Sequence, residues 1–324
     1  FRRNIHAAYA QFASELLTVN YQMGLRAEYT DREVSFDNND ERYVIDRVDL
    51  FPTFHVSKKF EGMHQLMASY SRRINRPRGR HLDPHPTYRD AYNYHVGNPG
   101  LEPEYNNSYE LGYSKIFESS MISVEGYYRD SENEFERYQM LDSNGVLIHT
   151  IDNLASAKTL GIEFMFNYKP ADWINLNFVG NFYNYSIEGD IITEEIDTET
   201  ESWEVRFFTD FKIFDNLRLQ LNSFYEGPRV TAQGSREGYF FVDAGLRYDI
   251  MPGKLSLSLN TRDIFDTRKY EMTSNGRYFR TDNTFNREGQ ILILNLNWRF
   301  NNYKEDRRSR GENGGDGDIE MDMF

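Results

Sequence analysis

The sequence contains no cysteine and no run of about 18 or more apolar residues. The first absence excludes a disulfide scaffold and a thiolate metal centre, and the second excludes a membrane-spanning α-helix. Positive charge is also scarce, because 37 Lys and Arg are outnumbered by 51 Asp and Glu. The net charge of −14 argues against a nucleic-acid-binding protein, which needs a basic surface. A chain of 324 residues can bury a sizeable core, which argues against intrinsic disorder.

Aromatic residues are abundant at 15%, and apolar and polar positions alternate along many segments. In one such segment, Ile174, Leu176, Phe178, Gly180 and Phe182 alternate with Asn175, Asn177, Val179, Asn181 and Tyr183. This two-residue period is typical of a β-strand with one apolar face. No helical stripe of useful length accompanies it.

Thirteen long strands are predicted from this alternation. They lie at 4–14, 18–30, 49–59, 63–74, 105–116, 120–130, 157–168, 173–186, 202–213, 217–227, 239–250, 255–265 and 290–300. Short turns and long loops alternate strictly between them, with long loops near 31–48, 75–104, 131–156, 187–201, 228–238 and 266–289. Outer-membrane barrels combine short periplasmic turns with long outer loops in this way. The predicted fold is therefore all-β, an antiparallel transmembrane β-barrel over 1–300.

The face of the strands opposite to the apolar one is predicted to carry charges of both signs. These residues are Arg26, Glu28, Glu110, Glu125, Glu163, Glu204, Arg206, Asp210, Arg218, Asp243, Arg247, Arg262 and Arg299. Isolated buried charges are too costly, so we expect a wide barrel whose interior is hydrated or filled by a polar plug.

The order of turns and loops also predicts the direction of each strand. The last strand follows a long loop and should run inward, which makes the first strand run inward as well. Bacterial barrels normally have an even number of strands, and thirteen is odd. The chain begins with Phe and shows no signal peptide. We therefore expect a mature or truncated chain whose upstream part is missing or lies in another chain.

A motif in the segment 70–104 resembles a known family pattern. It consists of Tyr70, Ser71, Arg76, Pro77, Leu82, Pro84, Gly97, Asn98, Pro99, Leu101, Pro103 and Glu104. The segment 260–266, Asn-Thr-Arg-Asp-Ile-Phe-Asp, is similar to the end of that family's penultimate strand. The sequence to about residue 300 resembles the TonB-dependent outer-membrane receptors, especially the outer-membrane β-barrel branch common in Bacteroidota.

This resemblance implies a barrel of 22 strands, of which this chain supplies the last thirteen. It also implies an N-terminal plug inside the barrel and a short plug segment that recruits TonB from the inner membrane. Neither is present in this sequence, so the chain alone is not expected to perform gated import. Trp298 and Phe300 resemble the terminal aromatic signal that the outer-membrane assembly machinery reads.

The motif of residues 97–104 has a predicted structural role. Pro99 and Pro103 fix the backbone φ angle and donate no hydrogen bond, while Gly97 and Asn98 tolerate turn geometry. We expect the motif, with Leu101 and Glu104, to shape a rigid entry from an outer loop into the strand at 105.

Acidic residues are concentrated in the outer loops and in the tail 301–324. The loop 187–201 carries seven acidic residues and no basic one. Such loops could attract cationic ligands or divalent ions of the lipopolysaccharide layer, or they could simply keep the loops soluble, which we favour. The tail is predicted to be a flexible, acidic periplasmic segment, with docking by 318–324 as the alternative.

Candidate ligand-binding residues lie in the loop 75–104. His81, His85 and His95 could bind a transition metal or a metal chelate, although incidental loop histidines are favoured because the loop is not helical. Tyr88, Tyr92 and Tyr94 could stack on a sugar ring or a siderophore, and packing at the rim is the alternative. No catalytic motif occurs, so the chain is predicted not to be an enzyme, and no cofactor or metal site is predicted.

Three functional hypotheses follow. The favoured one is a receptor for TonB-dependent import of a scarce or bulky ligand, such as a siderophore, glycan or peptide. The second is a structural or assembly subunit in the outer membrane that binds a surface lipoprotein or other outer-membrane proteins. The third is a soluble, tyrosine-rich carbohydrate-binding protein. Expected partners of a barrel are outer-membrane lipids, lipopolysaccharide, the assembly machinery and, through the missing plug, TonB; nucleic acid is not expected.

Overall fold

A computed structural model describes residues 1–36, 39–191, 194–286 and 288–300. Its main sheet is an antiparallel meander in which each strand pairs with the next one of the path. The thirteen strands of the path are β1 (Arg2–Leu16), β2 (Val19–Phe36), β3 (Asn39–Phe60), β4 (His64–Asn75), β7 (Glu104–Ile116), β8 (Ser120–Leu141), β9 (Leu147–Ala171), β10 (Ile174–Ile191), β11 (Glu194–Phe214), β12 (Leu217–Glu226), β15 (Tyr239–Met251), β16 (Leu255–Thr261) and β19 (Leu292–Trp298). All thirteen predicted strands are confirmed, and the fold is all-β.

The long connections contain further structure. A 3-10 helix (Gly79–His81), β5 (Thr87–Tyr88) and β6 (Asn93–His95) lie between β4 and β7. A separate four-stranded sheet, which we call the small sheet, consists of β13 (Arg229–Thr231), β14 (Gly234–Arg236), β17 (Lys269–Gly276) and β18 (Phe279–Asn286). Among the described residues, no helix is long and apolar enough to span a membrane. The tail 301–324, for which the sequence predicts a flexible periplasmic segment, lies outside the described residues.

In three of the six segments predicted as long loops, most of the described residues are instead continuations of strands. The segments 31–48, 131–156 and 187–201 extend the hairpins β2–β3, β8–β9 and β10–β11. Cross-strand pairing continues well beyond the predicted strand ends. In β10 and β11, for example, it runs from Tyr183 opposite Ser202 to Asp190 opposite Glu195. An extended hairpin satisfies its own backbone hydrogen bonds, and an irregular loop of the same length would leave many of them to water.

The register places the predicted interior charges that lie within paired strands on one face of the sheet; Arg262 and Arg299 follow the ends of β16 and β19. Glu125 is opposite Glu163, and Glu163 is opposite Asn181, which is itself opposite Glu204. Directly opposed residues point to the same side of a sheet. Large apolar side chains occupy the other face and are exposed: Leu25, Leu50, Leu111, Leu160, Ile162, Phe182, Leu294 and Leu296. This pattern is that of a transmembrane wall with a polar lumen face and a lipid face.

The buried apolar clusters lie in the outer part of the molecule. One contains Val34, Leu82, Leu101 and Ile151. The other contains Ala155, Ala157, Ile187 and Ile196. Both are formed by hairpin extensions and loops beyond the lipid-facing band, so the outer part is a packed layer.

Candidate functional site

The loop between β4 and β7, residues 76–103, emerges from a split in the wall. The strand β3 pairs with β4 only between Thr53 and Phe60. Over residues 39–52, β3 pairs with β2, and the 76–103 loop lies beside it, where Arg47 Nη1 donates to Glu102 Oε2 at 3.2 Å. Because β3 and β4 are not paired beyond the stretch from Thr53 to Phe60, the loop can pass between them from the wall into the outer layer.

Backbone hydrogen bonds give the motif at 97–101 its shape. The N–H of Gly97 donates to the carbonyl of Asp83 at 2.7 Å, and the N–H of Asn98 donates to the carbonyl of His81 at 2.7 Å. The Asn98 Oδ1 accepts from the N–H of Gly100 at 2.9 Å. Pro99, Leu101 and Pro103 are buried. The loop is thus closed upon itself at its base.

Two residues of β9 fasten the motif to the β8–β9 hairpin. The Asn98 Nδ2 donates to Asp152 Oδ1 at 2.8 Å. The Asn153 Oδ1 accepts from the N–H of Glu102 at 2.7 Å, and its Nδ2 donates to the Glu102 carbonyl at 3.1 Å. The sequence offered no signal for this connection, because the partners are more than 50 residues apart in unrelated patterns.

Arginines connect the same loop to β2. The Arg76 Nη2 donates to Glu28 Oε2 at 2.5 Å, and the buried Arg32 donates to the Leu101 carbonyl at 2.6 Å. At the split, the guanidinium groups of Arg47 and Arg72 lie over the Tyr105 ring at 5.3 and 4.9 Å from its centroid. The loop is therefore held by β2 on one side and by β9 on the other.

Gly97 is required by this geometry. A Cβ at Gly97 would lie 2.6 Å from the His81 carbonyl oxygen and 2.7 Å from that of Asp83. We expect Gly97→Ala to destabilise the docked loop by about 1–3 kcal/mol, because backbone atoms must move to admit the methyl group. Faster amide hydrogen exchange over residues 93–101 would show this.

The matched control is Gly79→Ala in the same loop. A Cβ at Gly79 would meet nothing within 4 Å, so exchange over residues 93–101 should remain at the parent rate. Equal protection in the two variants would contradict the close approach at Gly97.

The three predicted loop histidines each contact a different partner. His81 lies edge-on to Phe135 at 5.9 Å between ring centroids. The His85 Nδ1 is 2.7 Å from Asp83 Oδ1, and His95 stacks on His149 at 4.6 Å. Within the described part of the chain, no group of three or more His, Asp or Glu side chains is arranged to hold a metal ion.

The three candidate tyrosines differ in exposure. Tyr88 and Tyr92 are 68% and 75% exposed, whereas Tyr94 is half-buried and packs against Tyr88 at 5.4 Å between ring centroids. Two aromatic faces are therefore open to a planar ligand, and their role in binding stays a prediction.

The stacked imidazoles of His95 and His149 join the loop to the β8–β9 hairpin. Their strands, β6 and β9, pair in parallel, and the N–H of Val96 donates to the His149 carbonyl at 3.0 Å. Burial lowers the pKa of His149 to about 4, with help from His95 and Arg89. Burial also lowers the pKa of His95. The docked conformation of the loop is therefore more stable when both imidazole rings are neutral.

This preference predicts an acid-sensitive contact. An undocked histidine has its ordinary pKa near 6.5, so docking is fully stabilised above about pH 6.5 and weakens as the pH falls toward 4. We expect amide hydrogen exchange at Asn93–His95, corrected for the intrinsic pH dependence, to rise over this range.

The variant His149→Phe keeps the stacked ring and should remove most of this response, while His85→Phe, at an exposed position, should leave it intact. An unchanged response in His149→Phe would contradict the assignment.

Four acidic residues of the β10–β11 hairpin lie on the face of the sheet opposite to the lumen. The pairs Glu188 with Asp197 and Asp190 with Glu195 share the face of Phe182 and Trp203. The opposite face carries Ile187, which packs in the buried cluster. These carboxylates therefore lie outside the lumen, and their attraction of cationic ligands stays a prediction.

Several solved structures share this fold. They include the ferric enterobactin receptor PfeA (Q482A mutant) of Pseudomonas aeruginosa in complex with enterobactin (18% identity, TM-score 0.55, 82% of this chain and 40% of that one). They also include the siderophore receptor PiuA of Acinetobacter baumannii (14%, 0.63, 91% and 43%) and the ferric-catecholate import receptor Fiu of E. coli K12 (13%, 0.61, 91% and 44%). The chain thus spans less than half the length of these structures. No curated protein matches the sequence.

A family model described as "Outer membrane protein beta-barrel family" matches residues 1–298, which is nearly the whole described wall. The match agrees with the polar lumen face, the exposed apolar face and the alternation of short turns with a packed outer layer. It confirms the predicted location in the outer membrane, and the chain belongs to the outer membrane protein beta-barrel family.

Proposed function

We propose that this chain forms the C-terminal barrel wall and outer layer of a receptor for TonB-dependent import. The observation that carries the proposal is the uninterrupted thirteen-strand meander, which superposes on the siderophore receptors over 82–91% of its length. Its polar lumen face suits a hydrated interior or a plug, and its packed outer layer offers a surface for ligand capture.

The edges of the sheet support a larger barrel. In the described part of the chain, β1 and β19 each have a partner strand on one side only. Unpaired backbone groups cost several kcal/mol each in lipid, so a wall of this kind requires further strands to close. In the proposed receptor, these strands and the plug come from the remainder of the protein.

Ligand contact is proposed for the exposed loop aromatics, Tyr88 and Tyr92. Their rings are open to solvent, and they lie in a loop that is fastened both to β2 and to β9. A bound siderophore, glycan or peptide would thus contact a loop that hydrogen bonds hold to the wall.

Deletion of the full-length gene tests the proposal. We expect loss of growth on at least one member of a panel of ferric siderophores, oligosaccharides, peptides and cobalamin, and the same loss when TonB is inactivated. Complementation with the intact gene should restore growth, and the Tyr88→Ala, Tyr92→Ala double variant should raise the ligand concentration that is needed. No TonB-dependent phenotype on the panel, together with loss of other outer-membrane proteins, would instead favour the structural-subunit hypothesis.

A further inference from the structure

The small sheet lies as an inner layer on the extended hairpins of the wall. The Gln139 N–H donates to Gln233 Oε1 at 2.7 Å, and the Gln233 Nε2 donates to the Gln139 carbonyl at 3.0 Å. The Thr281 hydroxyl donates to Gln139 Oε1 at 3.1 Å. Ala232, in the β13–β14 turn, packs against the buried cluster that includes Ile187 and Ile196. The small sheet, which is anchored near β12 and β15, therefore reaches across the lumen side of the hairpins to β8.

Two half-buried carboxylates of β8, Glu134 and Glu136, lie near this contact. The Glu134 Oε1 accepts a hydrogen bond from the Tyr185 hydroxyl at 3.4 Å, and Tyr185 packs on the same cluster as Ala232. The Glu134 Oε2 is buried and has no hydrogen-bond partner. An ionised carboxylate with an unpaired buried oxygen is more costly than a protonated one.

The charged and hydrogen-bonding groups around Glu134 belong to four strands. Glu136 lies on the same strand and Glu104 begins β7, and both repel a second negative charge. Tyr185 of β10 donates its hydrogen bond to Glu134. Arg229 of β13, in the small sheet, attracts the negative charge of Glu136. Burial and the two neighbouring carboxylates raise the pKa of Glu134 to about 7, and burial also raises the pKa of Glu136.

We propose that the small sheet is a proton-sensitive lid, which stays docked on the hairpins while Glu134 is protonated and is released when Glu134 ionises. In the undocked state, water reaches Glu134 and its pKa falls toward the ordinary value, although Glu136 and Glu104 of the wall remain beside it. Docking is therefore strongest at low pH, weakens by up to about tenfold per unit as the pH rises toward 7, and is constant above that.

Cysteine labelling of the full-length protein in outer membranes tests the lid. The sequence contains no cysteine, so a single introduced thiol can be followed. Ala232→Cys places the thiol in the covered β13–β14 turn, where labelling requires the lid to open. Ser143→Cys places it in the exposed β8–β9 turn, where labelling measures thiol reactivity alone. Any cysteine elsewhere in the protein is replaced first. We expect the ratio of the two labelling rates to rise at least about tenfold between pH 5 and pH 8.

Two further variants identify the responsible group. Glu134→Gln should keep the ratio low at both pH values, whereas Glu201→Gln, an exposed carboxylate, should preserve the parent response. A flat ratio in the parent, or an unchanged rise in Glu134→Gln, would overturn the proposal.

Hydrogen exchange of Arg229–Arg236 without any cysteine substitution provides a second measurement. Protection in Glu134→Gln that equals that of the parent at pH 8 would also overturn the proposal. None of these readouts depends on uptake, so failure of the lid and failure of the proposed import function are distinguishable.

Discussion

Leu294→Arg is expected to reduce assembly into the outer membrane sharply, at a cost of about 2–4 kcal/mol. Leu294 lies in the middle of an outward row that runs from Leu292 to Trp298, and it is 66% exposed. It is opposite Leu259, another member of the lipid-facing side. An arginine there must be placed in hydrocarbon or distort the bilayer around it. The yield of heat-modifiable, folded receptor in outer membranes measures the effect.

The neighbouring Asn295→Arg is the matched control. Asn295 is also exposed, but it is opposite Ser258 on the lumen side. An arginine in a hydrated lumen keeps its water, so we expect a yield close to that of the parent. Equal yields for the two variants would contradict the lipid face and would favour a soluble β-protein.

Glu28→Gln is expected to destabilise the folded receptor by about 3 kcal/mol, because it leaves buried arginine charge without its counter-ion. The Glu28 side chain is 5% exposed and accepts from Arg26 Nε and Arg76 Nη2, both at 2.5 Å. Among the described residues, Arg76, whose side chain is 17% exposed, then keeps the Thr30 hydroxyl as an uncharged partner at 3.2 Å. The free energy of unfolding, measured by urea titration in detergent micelles, should fall accordingly, and the 76–103 loop should lose protection from hydrogen exchange.

Glu33→Gln on the same strand removes an ion pair in solvent. Glu33 and Arg42 are 2.7 Å apart, but their side chains are 27% and 61% exposed. Exposed pairs contribute about 0–1 kcal/mol, so the unfolding midpoint should hardly move. A similar loss in both variants would show that burial of Glu28 does not govern its contribution.

The sequence by itself determined the wall. A two-residue period specifies which side chains share a face, and the thirteen strands follow from that period because each residue in a strand alternates sides regardless of its distant partners. The polar lumen face and the apolar lipid face could be assigned for the same reason. The alternation of short turns with long connections is equally local, and it predicts an outer-membrane barrel without knowledge of the strand pairing.

The tertiary structure alone decided the outer layer. No local pattern shows that Gln139 meets Gln233, that His95 stacks on His149, or that Asp152 and Asn153 hold the motif at 97–103. These contacts join segments separated by tens of residues, and they form only when neighbouring hairpins bring the segments together. The desolvation of Glu134 has the same origin, since a carboxylate in an acidic, polar stretch is expected to be solvated until a second layer covers it. Strand faces depend on the adjacent residues, but burial depends on what the rest of the chain places on top of them.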